Sequence, residues 1–150
     1  MAGGLEEAKE VVERALTTLG LVPAEVLVSK PEAEPAWSMK RGSATTIVAL
    51  VTREAAGTSA THLRVVAPVV KFAEETRHQL FHKLLTLNAS GLASCAFGVV
   101  GDSVVVVSER PTKDLDESEV LHTVRQVAAL ADTFDDRLVE EFGGKRSSDA

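Results

Sequence analysis

The chain has 150 residues and a net charge of −6, which suits one globular core and disfavours a phosphate backbone as partner. Its single cysteine excludes an internal disulfide, and with aromatics at 4% and no tyrosine there is no platform for stacking bases. No apolar run approaches the roughly 18 residues of a membrane span, and the opening MAGGLEEAKE lacks the basic and apolar regions of a signal peptide, so a cytoplasmic location away from membranes is expected.

Leu5, Ala8, Val12, Ala15, Leu16 and Leu19 recur at three- and four-residue steps and predict a first surface helix ending at Gly20. The segment from Pro23 to Pro35, with three prolines, reads as an extended connector carrying a short strand at Glu25 to Val28. Trp37 to Arg41 reads as a short edge strand. Thr45 to Arg53 and Thr61 to Lys71 are rich in β-branched residues and flank AAGTSA, which predicts a hairpin. Pro68 cannot donate to a ladder and marks an edge or a bulge.

Leu80, Phe81, Leu84, Leu85 and Leu87 predict a second helix over Glu74 to Asn88. A second hairpin follows, Ala93 to Val100 and Val104 to Ser108, with Gly101-Asp102 as a type II′ turn. Asp116 and Glu119 form a capping box. Behind it Val120, Val124, Val127, Ala131, Phe134, Leu138 and Phe142 share one stripe of a long last helix. The expected fold is α+β, an antiparallel sheet in the order α-β-β-β-α-β-β-α. One domain spans 1–142, and 143–150, which carries Lys145 and Arg146, is a flexible C-terminal tail.

Residues with chemical potential each have a plainer explanation. His78 and His82 stand four apart beside Glu74 and Glu75, a spacing that permits a metal, but HQLFH lacks the zinc-protease glutamate and reads as a solvated flank. Cys95 sits in an alternating strand without a basic neighbour and reads as a core thiol. Gly98, Gly101 and Asp102 precede a strand rather than a helix, so they make a hairpin and no phosphate cradle. Asp132, Asp135 and Asp136 read as a solvated polar face. No catalytic residue, metal ligand or cofactor is assigned.

The strands Ile47 to Val51 and Val104 to Val107 are apolar on both parities, so both faces of the sheet need cover and a strip is left for a twin subunit or a partner. Val48, Leu50 and Val66 are the residues expected to form that partner-binding surface.

The run from Leu84 to Leu138 resembles the YbjN-type domain and, more broadly, the type III secretion chaperone-like superfamily. The likeness is carried by Leu87-Asn88, Phe97-Gly98, Gly101-Asp102, Asp114-Leu115-Asp116 and Ala131-Asp132. It implies a small, acidic, non-enzymatic and dimeric protein that holds an extended segment of a client. The expected function is therefore a chaperone-like or regulatory protein-binding module, a homodimer docking a partner polypeptide on an apolar sheet face. The alternative is a small-molecule sensor or an enzyme using His78, His82 or Cys95.

Overall fold

A computed structural model describes residues 4–41 and 44–149. Helix α1 (Leu5–Thr18) buries Ala8, Val12, Ala15 and Leu16, the predicted stripe, and places Glu6 and Glu7 in its first turn. There they favour the positive end of the helix dipole. The expected strand at Glu25 to Val28 is instead a single helical turn, α2 (Pro23–Val26), with proline at its start. Proline pre-sets the helical φ at this position and has no N–H to lose. The chain turns extended only at Leu27, which bridges Trp37.

Six strands follow: β1 (Ala36–Arg41), β2 (Ala44–Ala55), β3 (Thr58–Lys71), β4 (Ala96–Val100), β5 (Ser103–Pro111) and β6 (Lys145–Arg146). The main sheet runs β1-β2-β3-β5-β4, and all its pairings are antiparallel. The hairpin loop between β2 and β3 is shorter than the expected AAGTSA, since pairing continues to Ala55 and Thr58 and leaves two residues to turn. Pro68 produces the predicted bulge, a register shift between Pro68 and Val70 in the central strand. Gly101 turns the β4–β5 hairpin at φ +60, the first-position geometry of a type II′ turn.

The second helix opens as a 3-10 turn (Glu74–Thr76) and continues as α3 (Arg77–Ser90). Asn88 ties its end to the sheet, its side-chain amide donating to the Phe97 carbonyl and its side-chain oxygen accepting from the Phe97 N–H. The last helix, α4 (Glu117–Phe142), starts from the predicted capping box. The Asp116 carboxylate accepts from the Glu119 N–H at 2.9 Å, and Glu119 accepts from the Asp116 N–H at 3.2 Å.

Helix α4 crosses β2, β3 and β5, with α1 beside it and α3 in contact with both it and β4. One core results. It holds Val12, Leu16, Trp37, Val48, Leu50, Leu63, Val65, Val106, Val120, Val124 and Leu138, all at most 2% exposed. Edge-to-face ring pairs, Phe97 on Phe134 and Phe72 on Phe81, pin β4 to α4 and the sheet end to α3.

The C-terminal segment expected to be a flexible tail is tied down as far as residue 149. Lys145 and Arg146 pair with Lys71 and Val70, and a 3-10 turn (Ser147–Asp149) follows. Arg146 bridges Asp136 on α4 and Asp149. Composition hides this docking because only two residues pair. The approach is close: a Cβ on Gly144, whose φ is +83, would lie 2.3 Å from the Lys71 carbonyl oxygen.

Candidate partner-binding surface

Successive residues of a strand point to opposite faces, so register sorts every strand residue. The row Trp37, Val48, Val65 and Ser108 shares one face, as does the row Leu50 and Leu63. These residues are buried beneath the helices. The alternate residues Ile47, Ala49, Val51, Val66, Pro68 and Val107 share the other face and are each half-buried. Val105 completes that stripe and is itself buried between its strand neighbours Pro68 and Gly98. Among the described residues the sheet therefore has one face under α1, α3 and α4 and one apolar face that none of these three helices covers.

This sorting divides the three residues expected to bind a partner. Val48 and Leu50 are both 0% exposed on the helix side, where no partner can reach them without unfolding the core. Val66 lies on the open face. The expectation is corrected on that point, because apolar residues on both parities announce two apolar faces without saying which one the helices take.

One end of the open face carries an ion network. Glu109 accepts from Arg53 at 2.9 and 3.0 Å and from Arg64 at 3.2 Å. The Arg53 guanidinium, followed by Arg64, holds the Glu109 carboxyl below its ordinary value. Two guanidiniums surround one carboxylate there, and Glu34 also acts on Arg53 from beside β2.

The chemically suggestive residues sit elsewhere. His78 and His82 are exposed on α3, away from the stripe of Leu80 and Leu84. Among the described residues, no group of three or more His, Cys, Asp or Glu could hold a metal ion. Cys95 lines a cleft of about 530 Å³ between the β5 edge and the first turns of α4, together with Ser108, Arg110 and His122. Burial raises its thiol above the ordinary value, which keeps it protonated and a poor nucleophile. Asp135, expected on a solvated face, is buried at 5% and accepts from the Asp136 N–H. Gly98 lies in β4, and Gly101 and Asp102 form the hairpin turn.

Among the described residues, α1, α3 and α4 lie on one face of the sheet and the apolar stripe lies on the other, which defines a small α+β domain. The chain belongs to the family of T3SS (YopN, CesT) and YbjN peptide-binding chaperones, whose model matches residues 6–150. Among curated proteins, none matches it. Three solved complexes share its fold. A chain of the ExsC–ExsE complex is 15% identical with a TM-score of 0.66, over 91% of this chain and 96% of that one. A chain of the HopA1–SchA chaperone–effector complex is 12% identical at a TM-score of 0.58, covering 85% and 92%. A chain of the ExoT–SpcS complex from Pseudomonas aeruginosa is 12% identical at 0.50, covering 84% and 96%. The α+β architecture expected from the order of elements is the architecture of these solved chains. No helix among the described residues is long and apolar enough to cross a membrane.

Proposed function

We propose that this chain is a non-enzymatic chaperone or regulator of the cytoplasm, a single domain that docks a segment of a partner polypeptide on its open sheet face, with Val66 at the centre. The observation that carries this reading is the uncovered stripe of Ile47, Ala49, Val51, Val66 and Val107 on the middle strands β2, β3 and β5 of the sheet. A monomer rarely leaves such a stripe without a use. A peptide-binding family supplies the kind of occupant.

The protein works as a homodimer through a different surface. β4 is an edge strand, and its Val99 (45% exposed) and Val100 (59%), one toward each face of the sheet, form an exposed apolar strip at that edge. Pairing β4 with its twin would satisfy the open edge and bury the strip.

The test is a pull-down from the source cell with the wild type and Val66→Asp, both checked for unchanged melting. A client protein recovered by the wild type and lost by Val66→Asp supports the reading. A client retained by Val66→Asp refutes the placement on this face. Sedimentation of Val100→Lys tests the dimer, and a wild type that is monomeric at micromolar concentration refutes it.

A further inference from the structure

The occupant's chemistry can be read from the charges on the open face. Register places Lys40 of β1, Arg53 of β2, Arg64 and Lys71 of β3, and Lys145 of β6 on that face, with Glu109 as the carboxylate among them. Five cations and one carboxylate give these strand residues a net +4, within a chain whose net charge is −6. The cations stand at the two ends of the apolar stripe. Arg53 and Arg64 flank one end, and Lys40, Lys71 and Lys145 flank the other.

The two ends differ in how far their charges are neutralised. Glu109 offsets one of the two arginines, and Arg53 also feels Glu34 across the sheet end. At the other end Lys71 and Lys145 are direct cross-strand partners and both exposed. Like charges directly opposite on neighbouring strands disfavour each other. No carboxylate among the described residues is in ion-pair contact with either; Asp102 lies just beyond, in the hairpin turn, with its side chain accepting from Ser103.

We infer that the open face takes an apolar segment that carries carboxylates at both ends, roughly 20 Å apart, the span from Arg64 to Lys71 along a strand. This rests on the proposed peptide-binding reading and adds the occupant's charge. A second copy of the chain is a poor occupant of the same face, because symmetric docking would bring +4 against +4.

Anisotropy of three fluorescein-labelled synthetic peptides, with one apolar centre and flanking glutamates, glutamines or lysines, tests it on the full chain. The glutamate peptide is expected to bind about tenfold more tightly than the glutamine peptide, two exposed ion pairs' worth, with the lysine peptide weakest. The variant Arg53→Gln/Lys71→Gln/Lys145→Gln, all at exposed positions, should bind the glutamate and glutamine peptides alike. Equal binding of the three peptides by the wild type overturns the charge inference and leaves peptide binding standing. Failure of all three overturns both. A concentration-dependent dimer abolished by Val66→Asp would assign the face to a second copy and overturn the inference.

Discussion

Val65 and Val66 are consecutive in the central strand and differ only in the face they occupy, so replacing each by alanine measures the two faces directly. Val65 is 0% exposed beneath α4 and Val66 is half-buried on the open side. Removing two buried carbons from Val65 forfeits about 1.6 kcal/mol of transfer free energy. The hole left under a rigid helix layer, on the order of 50 Å³, adds about 1.2 kcal/mol. Val66→Ala leaves no closed hole and loses less than about 1 kcal/mol. In a chain of this size each kcal/mol moves Tm by about 2–4 °C. Val65→Ala should therefore melt about 6–10 °C lower and Val66→Ala within about 3 °C of the wild type. Trp37, the single tryptophan and wholly buried in β1, reports unfolding by its fluorescence. Equal shifts for the two variants would mean that both faces are closed in solution, and would refute the open face on which the functional reading depends.

Two further outcomes follow from local geometry. Hydrogen bonds from Ser118 and then from the Glu119 N–H hold the Asp116 carboxyl below its ordinary value of 3.8, so its contribution is complete above that pH and is lost as pH falls through the lower folded value. Asp116→Asn, which still caps, should keep the neutral-pH urea midpoint and show a shallower loss of stability below pH 3.8, and an unchanged acid limb would refute this coupling. Gly144→Ala puts a Cβ into the Lys71 carbonyl and should release 145–149, seen as lost hydrogen-exchange protection at Lys71, whose N–H faces β6, with Val70 and the core of α4 unchanged; retained protection at Lys71 would refute the close approach.

Features decided by a few neighbouring residues were legible in the sequence. The Asp116–Glu119 box, the Gly101 turn, the Pro68 bulge and the stripe of α4 each follow from residues within one turn or one pairing step. The phase of the strands was not, because Ile47-Val48-Ala49-Leu50-Val51 is apolar on both parities and a strand of that kind carries no internal mark of which side the helices cover. That choice is made by α4 from the far end of the chain, so Val48 and Leu50 went to the core and Val66 to the open face. The tail escaped notice for a similar reason: its docking rests on Gly144, two paired residues and the Arg146 contacts with Asp136 and Asp149, none of which has a periodic signature.

Net charge hides the same distinction between faces, since −6 averages over two layers of opposite sign. With +4 on the open face, −10 resides elsewhere, much of it on the helices, whose outer surface stands roughly 15 Å behind the sheet. Screening decides which layer an acidic peptide feels. At physiological ionic strength the Debye length is about 8 Å, so the near cations act and the far carboxylates are screened; at 0.01 M it is about 30 Å and the whole chain repels. Affinity for the glutamate-flanked peptide should therefore rise from about 0.01 M salt to a maximum near physiological strength and fall again toward about 1 M, where even contact pairs are weakened. Anisotropy titrations across that range would show it. A steady decline from the lowest salt upward would mean that the cations of the open face already dominate at long range, and a curve flat throughout would mean that the bound peptide does not touch them.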